Sequence, residues 1–303
     1  MGKRFILFLF SLILFGGCTQ KPLPVSDALT SENDINIPIE AQYFGSELPG
    51  VEPIRFAEEF LSGRYHSSPV YSPDGRNVWW AGDYSAATIY TSRFVDGGWS
   101  DPETVQFSEE INSYRDPFIS PDGKRFYFIS ASPLPGEHSS GKENIWMMEK
   151  DGEGWSEPQP LPQEINLYGL HWTISVAENY NLYFSVEEAG NPNIYVSRYV
   201  NGAYQAAEPL PAEINSDGLE FTPNIAPDES YLLFSRLPDR NSSSFLYISY
   251  ATDQGWSEAK RVENVPYCMS PIVTPDRRYV IFMGGPDSVW WRDTTFEEEL
   301  RDE

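Results

Sequence analysis

The chain has 303 residues, 45 acidic against 21 basic side chains, a formal charge of −24 and two cysteines. So acidic a surface repels phosphate backbones and excludes nucleic acid as a partner class, and two cysteines exclude a disulfide-stapled scaffold. Length alone admits two domains, so the organisation must come from the pattern along the chain.

The first element is an export signal. Lys3-Arg4 is a basic start, and the apolar run from Phe5 to Phe15, broken by Ser11, is too short to span a bilayer as a helix. Gly16-Gly17-Cys18 closes it and resembles the lipobox of bacterial lipoproteins, with Phe15 standing where a leucine is usual. That resemblance implies a signal peptide over 1–17, acylation of Cys18 and a membrane anchor in the cell envelope. It also leaves Cys268 without an intramolecular disulfide partner. From Thr19 to about Glu40 the chain is rich in Ser, Asp, Asn, Pro and Glu, and a flexible tether is predicted over 18–44.

A β-propeller over 45–303 follows from a repeat. Ser72-Pro73-Asp74-Gly75 precedes Asn77-Val78-Trp79-Trp80, and Ser120-Pro121-Asp122-Gly123 precedes Arg125-Phe126-Tyr127-Phe128. The pattern decays at Ala177-Glu178-Asn179, then returns at Ala226-Pro227-Asp228-Glu229 and Thr274-Pro275-Asp276-Arg277, a spacing of about 50 residues. Ser, Pro and Gly at these positions suit a type I turn, and the Asp side chains are expected to cap amides within it. The flanking runs are aromatic and β-branched, as strands require. A third run follows each pair, for example Asn144-Ile145-Trp146-Met147, and most copies add a Gly-Trp-Ser or Gly-Ala-Tyr run and a Glu-Ile-Asn link. Four antiparallel strands per repeat describe a propeller blade.

The fifth repeat ends after Val289-Trp290-Trp291, and Glu52-Pro53-Ile54-Arg55 resembles the end of an outer strand, Glu208-Pro209-Leu210. Residues near 45–57 are therefore predicted to complete the last blade and remove an open edge. The fold class is all-β, a five-bladed propeller, with six blades as the alternative.

These Ser-Pro-Asp-Gly repeats, each with an aromatic-rich strand behind it, resemble the WD-like repeats of the TolB propeller family, from about residue 45 to the end. The resemblance implies a periplasmic binding scaffold. TolB itself carries an α/β domain before its propeller; here a tether is expected in its place, as in stand-alone lipoprotein members.

A ligand is expected where the segments entering each innermost strand ring the channel mouth: Tyr65-His66-Ser67-Ser68, Ser113-Tyr114-Arg115-Asp116, Gly169-Leu170-His171-Trp172, Leu219-Glu220-Phe221-Thr222 and Tyr267-Cys268-Met269-Ser270. The candidates are His66, Arg115, Asp116, His171 and Glu220, binding an envelope protein or small ligand without catalysis. Polar side chains in the channel are also what any hydrated propeller axis would carry. The alternative function is carbohydrate hydrolysis by Asp116 and Glu220, which requires two carboxylates at a set separation. Neither a cofactor nor a metal is predicted, because no two ligand-type residues share a close metal-binding spacing. Trp99, Trp155 and Trp256 recur so regularly that blade packing is their expected role. A monomer is expected.

Overall fold

The computed structural model describes residues 37–301 other than 62–64, 83–86, 138–141, 153, 169–171, 189 and 286. The predicted signal 1–17, Cys18, the tether up to residue 36, and His138 and His171 lie outside the described residues.

Five antiparallel sheets form a five-bladed propeller. Each blade begins with a short inner strand: Val70–Tyr71, Arg115–Ile119, Ile174–Val176, Leu219–Ile225 and Met269–Val273. The second strands are Asn77–Ala81, Arg125–Ser130, Leu182–Glu188, Tyr231–Leu237 and Tyr279–Met283. They read as continuous apolar runs because both faces are covered by neighbouring blades. Phe126, Tyr127, Phe128 and Ile129 are all fully buried, as are Leu232, Leu233 and Phe234.

The repeated turn is built as its composition requires. Gly75 N donates to Ser72 O, Ser72 Oγ donates to Asp74 Oδ1, and Arg76 N donates to the same carboxylate oxygen at 3.0 Å. Ser120 and Asp122 repeat the arrangement, with Lys124 N on Asp122 Oδ1 at 3.0 Å, and Thr274 and Asp276 repeat it again. The fourth position is left-handed: φ is 69° at Gly75 and 70° at Gly123. In the decayed copy Tyr180 takes that conformation at φ 65°.

The outer edge differs in detail from the sequence expectation. The Gly-Trp runs, Gly98–Trp99, Gly154–Trp155 and Gly255–Trp256, pair with the overrunning ends of the third strands Ile89–Val95, Asn144–Asp151 and Phe245–Thr252. The blade-edge pairing comes from the next dipeptide: Glu103–Thr104, Gln159–Pro160, Glu208–Pro209 and Lys260–Arg261. Between the two, Pro102 and Pro158 have no N–H to donate to a continuous ladder.

Ring closure uses the predicted segment: Ile54 pairs with Trp291 and Arg55 with Trp290. Phe56 N then donates to Val289 O at 3.0 Å. Packing reaches back before residue 45. Within the 3₁₀ segment Ile39–Gly45, Tyr43 is buried against Tyr71, Tyr279 and Trp291, and Trp99 Nε1 donates to Ala41 O.

The Glu-Ile-Asn links are riveted to the blade they leave. Asn166 Oδ1 accepts from Ile145 N at 2.8 Å while its Nδ2 donates to Ile145 O and Leu161 O. Asn215 repeats this on Ile194 and Leu210, and the isoleucines Ile165 and Ile214 are fully buried beside them.

Candidate functional site

The position four residues before each turn's first residue is short and polar in every blade: Ser68, Asp116, Thr173, Thr222 and Ser270. In four blades it precedes proline. The inner strand bulges here, with register shifts between Arg115 and Phe118, Phe221 and Asn224, and Met269 and Ile272. Asp116, Thr173, Thr222 and Ser270 take left-handed φ values of 45–51°. Such bulges re-aim side chains, and these four line one cavity on the propeller axis.

Two blade-to-blade hydrogen bonds consume part of the ring. Ser68 N donates to Ser270 Oγ and Ser270 N to Thr222 Oγ1, each at 3.2 Å. Thr222 Oγ1 donates onward to Ser235 Oγ at 2.7 Å, so Thr222 is fully engaged. The chain of bonds leaves other buried polar atoms without a protein partner: Asp116 Oδ2, Thr173 Oγ1, Tyr65 Oη, and Ser67 and Ser68 Oγ. Those that line the cavity, on Tyr65, Asp116 and Thr173, belong to blades 1–3. Buried polar groups are normally paired, so this concentration is informative.

The cavity measures about 260 Å³ and draws lining residues from all five blades. Tyr65, His66, Asp116 and Thr173 form its polar side, and Tyr267, Met269 and Met283 its apolar side, with Trp172 between. Trp172 is held edge-on against Phe221, with centroids 5.4 Å apart, and Tyr267 Oη lies 2.8 Å from Met269 Sδ. Farther along the axis the lining turns apolar: Val70, Phe118 and Ile272 surround a space of about 100 Å³, edged by Pro73, Pro121, Pro227 and Pro275. The axis is thus not lined throughout by polar groups.

Two of the candidates meet directly. His66 Nδ1 and Asp116 Oδ1 are 2.9 Å apart, and Asp116 is only 2% exposed. Burial acts against a charged His66 ring and Arg115 adds to that effect, but the Asp116 carboxylate, helped by Glu143, outweighs both and raises the pKa. Arg115, one residue from Asp116, does not line the cavity: it pairs with Glu143 at 3.0 Å. Glu220 also lies off the cavity, fully buried, with Oε1 2.8 Å from Arg236 Nε and 2.6 Å from Ser216 Oγ. Its pKa is raised by burial, against the pull of Ser216 and Arg236. His171 lies outside the described residues.

Among the described residues Asp116 is therefore the one carboxylate lining the cavity, where glycoside hydrolysis by a carboxylate pair would need two, about 5–10 Å apart. Among those residues no group of three or more His, Cys, Asp or Glu is placed to hold a metal ion.

Among solved structures, a TolB from Agrobacterium tumefaciens superposes with a TM-score of 0.51 at 17% identity, covering 71% of this chain and 68% of that one. The likeness is one of fold, that of a TolB-like propeller. TolB from Acinetobacter baumannii gives 0.49 at 15% identity over 75% of this chain, which spans about half (54%) of that protein. A gluconolactonase from Xanthomonas campestris gives 0.47 at 14% identity over 80% and 96% of the two chains. No protein-family model and no curated protein sequence matches the chain.

Proposed function

We propose that this chain is a lipid-anchored envelope propeller that binds a small ligand, or a single side chain of a protein partner, in the axial cavity, without catalysis. One observation carries the reading: a cavity of about 260 Å³ to which every blade contributes, with buried polar atoms unpaired on one wall. It lies just below the usual range for small-molecule sites of about 300–1,000 Å³, so its occupant is compact. Binding is favoured over turnover because, among the described residues, one carboxylate lines the cavity where a hydrolytic pair needs two. The export signal and the Gly16-Gly17-Cys18 sequence support the anchor, and two or more acyl chains on Cys18 would make it durable.

Ligand-observed NMR of a mixed fragment library against the full chain tests the site. Some fragments are expected to bind the wild type and to lose binding in Trp172→Ala. If every hit binds that variant equally, the cavity is not a ligand site. Fatty-acid labelling of cells expressing the wild type or Cys18→Ser tests the anchor: label is expected only on the wild type, and label on both would refute acylation at Cys18.

A further inference from the structure

We infer that the axial cavity selects a small primary or secondary amine carried on an apolar body, its ammonium directed at Asp116 and its body against blade 5. The inference rests on the reading of the cavity as a binding site and adds the chemistry of the ligand.

Its first ground is which groups remain available. Asp116 Oδ1 is taken by His66, whereas Oδ2 is buried and unpartnered, and a carboxylate oxygen can only accept. Thr173 Oγ1 and Tyr65 Oη, also unpartnered and lining the cavity, can accept as well. An ammonium offers several N–H donors to this acceptor set and gives Asp116 a charge-assisted bond.

The second ground is what an anion would meet. Among the described residues no lysine or arginine lines the cavity, and Arg115, next to Asp116 in the chain, pairs with Glu143. An entering carboxylate would lie beside Asp116 with His66 Nδ1 already committed to that side chain. The chain's formal charge of −24 also concentrates cations around it.

The third ground is the asymmetry of the walls. The unpaired polar atoms that line the cavity, on Tyr65, Asp116 and Thr173, come from blades 1–3, while on blade 5 Met269 and Met283 present carbon and sulfur and the Tyr267 hydroxyl is engaged with Met269 Sδ. A sugar, polar on its whole rim, would leave hydroxyls against the methionines. An amphipathic amine matches both sides, and the aromatic faces of Trp172 and Tyr267 are also favourable to a cation.

Three probes that share a phenethyl group decide the matter: phenethylamine, 2-phenylethanol and 3-phenylpropionate, titrated calorimetrically into the full chain at constant pH and ionic strength. Phenethylamine is expected to bind at least tenfold more tightly than either of the others, and Asp116→Asn to weaken it at least tenfold. The comparison among probes uses the wild type alone, so it stands even if Asp116→Asn folds poorly. The inference is overturned if phenethylamine does not bind, if the alcohol or the acid binds as well, or if a folded Asp116→Asn protein binds it unchanged. A neutral or acidic fragment that binds the wild type but not Trp172→Ala would remove the amine assignment and leave the site intact. Failure of every probe and every fragment would remove both.

Discussion

Replacing Phe56 by alanine measures how much the ring depends on its N-terminal strand. Phe56 is 1% exposed, its ring centroid lies 4.9 Å from that of Trp291, which is itself fully buried, and a second aromatic, Phe44, lies 6.3 Å away. Truncating a buried phenylalanine costs about 3–5 kcal/mol, counting the lost transfer energy and the void it leaves. For domains of 150–250 residues each kcal/mol lowers Tm by about 2–4 °C, so a fall of about 10 °C is expected. Scanning calorimetry provides the readout. Val51→Ala is the control: it lies on the same segment but is exposed, and its change should stay within about 0.5 kcal/mol. A Phe56→Ala protein melting within about 2 °C of the wild type would refute ring closure by this strand.

The Glu-Ile-Asn links supply a matched pair: Asn166→Ala strands Ile145 N, Ile145 O and Leu161 O and should cost about 3 kcal/mol or more in urea unfolding. Asn112→Ala, in the blade 1 counterpart where the exposed side chain accepts from Ser132 Oγ, should cost about 1 kcal/mol or less; equal costs would contradict the rivet role. Burial pushes the Glu297 carboxyl up to about 7, against the opposing effects of Tyr231 and Arg277. A raised folded value means that the stability from Glu297 is present below the ordinary carboxylate pKa and fades as pH rises through 7. Glu297→Gln should therefore gain Tm relative to wild type between about pH 4.5 and 7 and hold that gain above, and a pH-independent difference would count against it. Cys268 is fully buried and its thiol pKa is pushed far up by burial, so iodoacetamide at pH 8 should leave it unmodified until denaturant is added.

The fold was legible because its punctuation is chemical. A proline fixing φ, an aspartate reaching back to amides and a residue able to turn left-handed recur together, and no other element competes for that combination. Closure was legible for a similar reason, since Glu52-Pro53-Ile54 carries the signature of an edge dipeptide seen again at Glu208-Pro209. The split outer edge was not, because Gly-Trp-Ser reads as a strand whichever part of its neighbour it pairs with.

The cavity was legible only in part, and the inner-strand bulge explains which part. A sequence shows that Arg115 and Asp116 adjoin the inner strand but not where a register shift turns one toward the axis and leaves the other facing Glu143. In blade 4 the same shift puts Thr222 on the axis and leaves Glu220, two residues earlier, against Arg236. The available signal was the Ser/Thr/Asp-Pro pair ahead of four of the five turns, at Ser68, Asp116, Thr222 and Ser270. Those positions do two jobs that compete. Where the side chain receives the next blade's amide, as at Thr222 and Ser270, it is spent on holding the ring together. At Asp116 and Thr173 buried polar atoms remain unpaired, so the groups open to the proposed ligand lie on one arc of a nearly symmetric wheel. Fivefold repetition builds the wheel, and the departures from it determine which polar groups face the cavity unspent.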